Sequence, residues 1–285
     1  MAARNFRRSG SALAGLGVVV GFALLALGAS WLSPHDPRAI DARVPEARPF
    51  TSLPAEGALP ATFHLLGTDE LGRDILSRVL HGARISLLIG LVSVAIALFG
   101  GVPLGLLSGT LGGAVDQGIM RVVDVMLAFP GILLAIAVMA VLGPSLTNVM
   151  VAVGIVNVPA YARQVRASVL ELRALDFVTA SRALGAGPLH LMIRVLLPNV
   201  LSPVIVLATL GIGSAILEAA GLGFIGLGIE PGTPEWGTML AESRKNFLRA
   251  PWTVLAPGIA ITLVVLGFNL FGDGLRDALD PKRKR

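Results

Sequence analysis

Four histidines, no cysteine and 18 carboxylates are the groups from which this 285-residue chain could assemble a reactive centre. Acid–base or nucleophilic work needs such groups within hydrogen-bond reach of one another. His35, His64, His81 and His190 all fall in polar stretches between apolar runs. No Ser–His pair is therefore available within a membrane, and Ser145 in "GPSL" reads as a helix start. The lack of cysteine excludes disulfides and Cys-based zinc or iron–sulfur sites. His35 beside Asp36 has metal-ligand chemistry but reads as solvated surface, so no metal site and no bound cofactor is expected. The phosphate loop GxxxxGK[ST] is missing, and with it that mode of ATP binding. The chain reads as one that performs no chemistry itself.

The polar residues instead collect in islands. "DFVTASRALGAGPLHLMIRVLLPN", residues 176–199, brings Asp176, Arg182, His190 and Arg194 into an otherwise apolar neighbourhood. Good helix formers fill 176–184, with Asp176 placed to cap the N-terminus or favour its dipole. Gly185 and Gly187 interrupt, and "PLHLMIRVLLPN" predicts a second short helix with Pro188 in its first turn. Two short helices at a glycine joint make a compact knob able to carry force, and equally an ordinary surface connector. A second island, "GTDELGRD", offers local ion pairs among Asp69, Glu70, Arg73 and Asp74, with tight turns at Gly67 and Gly72. It reads either as a fixed belt bearing on a partner or as a structural elbow. Glu218 stands alone in an apolar run. A charge there costs about 2.5–3.5 kcal/mol on insertion scales, so it should face protein or water. A path or interface role and a structural hydrogen bond both fit.

The elements that carry these islands follow from composition. The chain is 54% hydrophobic and 14% charged, with mean hydropathy +0.78, which few soluble domains of this size reach. About 20 apolar residues span the hydrocarbon layer as a helix. Six runs qualify: 11–32, 84–108, 118–142, 146–167, 200–224 and 252–272. Continuous apolar runs, rather than alternating ones, predict an all-α integral membrane protein with six transmembrane helices. The first run exceeds a signal-peptide core of about 7–15 residues, and a retained anchor is expected. With the N-terminus in the cytoplasm, 14 of the 23 Lys and Arg fall on the inner side. They include Arg4, Arg7, Arg8, Lys282, Arg283, Lys284 and Arg285 at the ends, which places both termini inside. Trp31, Trp236 and Trp252 then lie at outer span ends, where indoles prefer the interface. Residues 1–83 form an anchor helix and an extracytoplasmic segment. A core at 84–280 carries an inner loop at 168–199, and 281–285 form a basic cytoplasmic tail.

Within the runs, Gly101, Gly105, Gly109 and Gly113 recur every four residues. They make a smooth stripe for a neighbouring helix, in the same chain or in another subunit. Arg121 and Asp124, three apart, can pair on one helix. The basic residues flank spans rather than forming one stripe, so membrane lipid and not nucleic acid is the expected environment. Six spans with few buried charges make a poor proton relay, so a transporter here needs an external motor and a docking surface for it.

The inner island resembles the permease motif of bacterial ABC importers: Glu-Ala-Ala, three residues, Gly, nine residues, Ile-x-Leu-Pro. Thr179, Ala180 and Ser181 fill the first three positions, Gly185 the glycine, Val195 the isoleucine, and Leu197-Pro198 the ending. Thr, Ser and Val depart from that pattern. "LLGTDELGRDILSRVLHGARISLLIG", "WLSPHDP", "GLGFIGLGIEPGTPEWGTML" and "YARQVRASVLELRALDFVTASRALGA" are similar to the dipeptide/oligopeptide class and to its C-type permease, over about residues 11–280. The resemblance implies a type I importer permease fold in the bacterial inner membrane. It implies partners as well: a second homologous permease, two cytoplasmic ATPases that hold ATP and Mg²⁺, and an extracytoplasmic solute-binding protein. It makes the 168–199 loop a coupling helix gripped by an ATPase. The expected cargo is di- or oligopeptide; the alternative is nickel or another small solute.

Overall fold

The computed structural model describes residues 9–55 and 61–279. Arg4, Arg7, Arg8 and the 281–285 tail lie outside the described residues.

Helix α1 (Gly10–Leu32) opens on Ser9, whose side chain accepts from the Ala12 N–H. After a long irregular segment comes a short antiparallel hairpin, β1 (Thr51–Leu53) and β2 (Thr62–His64), with Thr51 opposite His64. This is a small β addition to the all-α expectation. Helix α2 (Ile75–Leu111) is capped by Asp74. Its 37 residues rise about 55 Å, well beyond a hydrocarbon core of about 30 Å. The helix therefore begins nine residues before the expected span edge at 84.

The run at 118–142 is not one straight helix. It divides into α3 (Gly113–Leu127) and α4 (Gly131–Leu142), bent by 92° at the break. Pro130 is the cause: it has no N–H to donate, and its ring drives Phe129 out of the helical region. Helix α4 is 12 residues, about 18 Å, and too short to span alone. Next come α5 (Leu146–Arg173), α6 (Asp176–Ala183), α7 (Pro188–Phe224), α8 (Trp236–Ser243) and α9 (Trp252–Leu279). Ser145 does start α5, accepting from the Asn148 N–H. Among the described residues four helices, α1, α2, α7 and α9, are long and apolar enough to cross a membrane, and the bent pair makes a fifth candidate. Helix α5 has the length, but Asn148, Asn157 and Arg163 make it more polar.

Helix directions follow from neighbours. α2 and α5 run parallel: Ser93 bonds Met150, Gly101 sits on Tyr161, and Gly109 on Val169. The chain between them must therefore climb back, which is the task of α3 and α4. α7 runs against α2, with Gly90 beside Ile216, and α9 runs against α7, with Gly272 beside Leu210. Gly10 and Leu279 thus lie toward the end of the bundle where α2 finishes.

The glycine stripe packs within the chain. A Cβ on Gly105 would lie 2.5 Å from the Ala162 carbonyl, and one on Gly101 2.5 Å from the Tyr161 Cβ. Gly113 is outside the stripe: it opens α3 at φ +55°, with open space around it. Gly105→Ala is expected to destabilise the protein by about 1–3 kcal/mol, because two backbones would have to separate. A lower thermal midpoint of the purified variant checks this; an unchanged midpoint would mean that the seam is loose.

Among the described residues three apolar clusters hold the bundle. One joins α2, α4, α5 and α7 around Ile89, Met139, Val153 and Leu222. A second joins α1, α2, α7, α8 and α9 around Trp236, Ile216 and Val264. The third lies where α2 finishes, joining Leu106, Val165 and Val169 to Val178, Leu191 and Leu196.

Candidate functional site: a knob and a clamp at opposite ends

The knob is α6 with the first turns of α7. Helix α6 stands on Val178, which is fully buried, while Thr179, Ala180 and Arg182 face out. Asp176 does not cap the helix; Leu175 takes that position without a side-chain bond, and Asp176 sits in the first turn, where its charge suits the dipole. The Ser181 hydroxyl turns back to the Phe177 carbonyl at 2.9 Å. The helix then closes in a Schellman turn: Gly185 N–H donates to Arg182 O at 2.9 Å and Ala186 N–H to Ser181 O at 3.1 Å. Gly185 has φ +87°, open to glycine but strained for most residues. The joint is a locked turn rather than a flexible one.

The expected second short helix is absent. Pro188 starts a helix that continues without interruption to Phe224, 37 residues in all. Pro198 is accommodated by a π-helical turn, Leu191–Leu196, in which Leu197 N–H reaches back to Met192 O. The wider turn relieves the clash a proline imposes on the carbonyl four residues earlier. Asn199 Nδ2 donates to Val195 O at 2.6 Å, supplying a local donor. The outer surface of the knob mixes large apolar and charged groups: Leu184 is 90% exposed and Leu189 65%, Leu175 and Phe177 are exposed too, and so are Asp176, Arg182 and His190. Its base is tied to the bundle by Arg173, which donates to Gly109 O at 2.5 Å. Two ion pairs staple α3 to α5 nearby: Arg166 grips Asp116 at 2.6 and 2.7 Å, and Arg163 meets Asp124 at 2.6 Å. Asp124 thus pairs across helices rather than with Arg121.

The clamp, at the opposite end, is built on "GTDELGRD". Asp69 Oδ1 accepts from the Leu71 and Arg73 N–H groups, and its Oδ2 takes Arg73 Nε at 2.6 Å. Gly72, at φ +76°, closes this turn against Asp41, where any Cβ would collide with a carbonyl. Gly67 has φ +77°, and a Cβ there would collide with Ala47 O. Thr68 bridges Val44 O and Ala47 N. The local Asp69–Arg73 pair is present, but Asp74 instead caps α2 and bonds His64, and Glu70 meets Asn246. The main partner is Glu242, far along the chain. Its Oε2 accepts from Arg73 at 2.8 Å and Arg78 at 2.9 Å, and its Oε1 from Gly232 N–H at 2.6 Å. Arg78, 1% exposed, also lies 3.7 Å from Asp69. Two cations and two anions thus neutralise each other and join residues 33–83, which follow α1, to the 225–251 loop, which connects α7 to α9 and contains α8. Glu242 was not legible beforehand, because a single charge within an ordinary helix pattern points to no distant partner.

Next to this network, Glu235 caps α8 by accepting from Gly237 N, Thr238 N and the Thr238 and Ser86 hydroxyls. Burial pushes the Glu235 carboxyl up, against the pull of these donors. Trp236 is fully buried, not interfacial as its position predicted. Its Nε1 donates to Val79 O at 3.0 Å, and its ring meets Phe22 edge-on. The indole fits because Gly82 leaves room for it. Trp31 is exposed, and Trp252 donates to Thr68 O.

Between knob and clamp lies a seam of polar groups along α5 and α7. Glu218 is half-buried and accepts from Asn157 Nδ2 at 2.7 Å. Ser214, one turn below, is exposed. Toward the knob, a cleft of about 690 Å³ is lined by Gln164, Asn199, Ser202 and Arg276 among apolar residues.

Residues 101–285 match the model of the "Binding-protein-dependent transport system inner membrane component" family, and residues 1–49 the "N-terminal TM domain of oligopeptide transport permease C". The chain is 52% identical to the Di/tripeptide transport system permease protein DppC of Pseudomonas aeruginosa, covering 99% of this chain and 91% of that protein. It is 48% identical to the Probable D,D-dipeptide transport system permease protein DdpC of Escherichia coli, over 93% and 85%. Among solved structures, the inward-facing MetNI methionine ABC transporter superposes with TM-score 0.61 at 20% identity, covering 72% of this chain and 98% of that one. That likeness is one of fold.

Proposed function

We propose, for a chain that belongs to the inner-membrane components of binding-protein-dependent transport systems, that it is one half of a peptide path driven from the knob. It is a permease subunit of a peptide ABC importer in the bacterial inner membrane, a family whose members work with ATPase subunits and a binding protein. The observation that carries the mechanism is continuity: α6 is locked by its closing turn to the start of α7, and α7 runs unbroken to the clamp end. An ATPase that closes on ATP and grips Thr179, Ala180, Ser181, Arg182 and Gly185 would move a stiff rod rather than a loop. Asp176 and the Val195, Leu197 and Pro198 turn would set its angle. ATP drives the change only by binding the closed motor more tightly than the open one. Hydrolysis then belongs to the ATPases, and this chain supplies the gate.

Six crossings with both termini in the cytoplasm fit the alternating helix directions, with α3 and α4 as the bent third span. The cytoplasmic side is then the knob end, where Arg163, Arg166, Arg173 and Arg182 cluster. A second, homologous permease is proposed to cover the α5–α7 seam. A half-exposed carboxylate in a span favours that face over lipid. The clamp residues Gly67 through Asp74 then form a rigid outer platform beneath the binding protein. Peptide is favoured over nickel because relatives are named for di- and tripeptides and for D,D-dipeptides.

The test is reconstitution in proteoliposomes with the second permease, both ATPases and the binding protein. ATP-dependent accumulation of a labelled dipeptide is expected. Uphill transport by this chain alone, or a complex that moves nickel and not peptide, would refute the reading. In the same assay Glu218→Leu should slow uptake about fivefold, equivalent to about 1 kcal/mol, while ATP hydrolysis persists. Unchanged uptake would remove Glu218 from the path.

A further inference from the structure

We propose that His35 and His64, with Asp74 orienting His64 from behind, form a binding site for a late first-row divalent cation such as Zn²⁺ or Ni²⁺, at the clamp end and separate from the polar seam. One ligating atom from each residue lies within 4.8 Å of the other two. They come from three parts of the chain: the segment after α1, the end of β2 and the cap of α2.

The hydrogen bonds fix both imidazole tautomers. His64 Nδ1 faces Asp74 Oδ1 at 2.9 Å, so the ring donates there and leaves Nε2 as a bare lone pair. That Nε2 is buried and has no hydrogen-bond partner among the described residues. His64 is 3% exposed, so the cost of an unpaired acceptor falls on the folded state. His35 Nε2 lies 3.0 Å from the Phe63 carbonyl, which only accepts, so the proton is on Nε2 and the lone pair on Nδ1. The two rings are 4.7 Å apart, tilted by 36°. Each ring thus has one nitrogen anchored by a hydrogen bond and the other turned away from it, the arrangement a metal-ligating histidine takes.

Asp74 is the carboxylate behind the metal ligand. Its Oδ1 orients His64, and its Oδ2 is held by the Ser77 N–H and hydroxyl at 2.8 and 2.7 Å. A carboxylate in that place raises the basicity of the ligating ring. Metal–nitrogen bonds near 2.0–2.1 Å bring two ligating nitrogens to within about 4 Å of each other. His64 and Asp74 are fixed by burial, whereas His35 is half-exposed and can supply the movement and the access. Imidazole donors select zinc, nickel or copper over calcium and magnesium, which prefer oxygen. A bound ion would staple the segment after α1 to the start of α2, beside the His35 N–H bond to the Ser77 hydroxyl at 3.2 Å.

The experiment titrates ZnCl₂, and separately NiCl₂, into the metal-stripped full chain in nanodiscs, purified without a histidine tag. One equivalent of Zn²⁺ per chain is expected, with a rise in thermal midpoint. His35→Ala leaves the His64–Asp74 pair intact and tests the site without endangering the fold. It should weaken binding at least about tenfold and abolish the thermal shift, as should His64→Gln. No saturable binding to the wild-type chain, or binding unchanged in either variant, overturns the proposal.

Discussion

Gly185→Pro should insert normally yet lose coupled uptake by at least about tenfold, the equivalent of about 1.4 kcal/mol. ATP hydrolysis by the assembled complex should continue at its basal rate but no longer respond to loaded binding protein. The reason is local and geometric. Gly185 holds φ +87° and donates its N–H to Arg182 O. Proline fixes φ near −65° and has no N–H, so the closing turn of α6 cannot form and the knob changes shape. Its buried foot, Val178, and the long helix α7 are left in place, which is why insertion survives. Gly185→Asn supplies the control. Asparagine visits the left-handed region at small cost, and this variant should retain most uptake. If the proline variant transports normally, the shape of the knob does not matter to coupling.

Glu242→Ala should cost about 3–5 kcal/mol of stability, the toll for breaking a buried ionic network by removing one partner. Arg73 and Arg78 would then be left with Asp69 as their only carboxylate, and Arg78 is too deeply buried for water to substitute. The loss should appear as a lower thermal midpoint and as earlier proteolysis in the 225–251 loop. Glu242→Gln retains acceptor geometry without the charge and should lose less. Raising the ionic strength should leave the wild-type midpoint nearly unchanged, since buried pairs are poorly screened. A strong salt dependence, or an alanine variant as stable as the parent, would mean that the two outer segments are held together by something else.

Much of the architecture was legible because it depends on local pattern. The runs at 11–32, 84–108, 200–224 and 252–272 each became a helix long and apolar enough to cross a membrane. Ser145, Pro188 and the glycine turns also acted as their residue types predict. Two expectations changed: the run at 118–142 without its bend, and "PLHLMIRVLLPN" as a separate short helix. Pro130 broke a run in two, while Pro198 was absorbed by a π turn. The same residue type had opposite outcomes because neighbours decide whether the helix can re-form around the missing N–H: before Pro198 the Leu197 N–H shifts back to Met192 O, and buried Leu191 and Leu196 hold that wider turn against α2 and α5.

The sequence by itself determined that this is a helical membrane chain with polar islands at its ends, since insertion and periodicity depend on residues adjacent along the chain. Only the tertiary structure decided the partners of its charges. Glu242 neutralises Arg78, Trp236 fills the space above Gly82, and His64 turns to Asp74 with His35 beside it. Hydrogen bonds and ion pairs act over about 3–4 Å whatever the separation in sequence, so one chain carries no mark of which distant residues will meet. That choice is made by helix packing, where glycine stripes and buried rings set which faces approach.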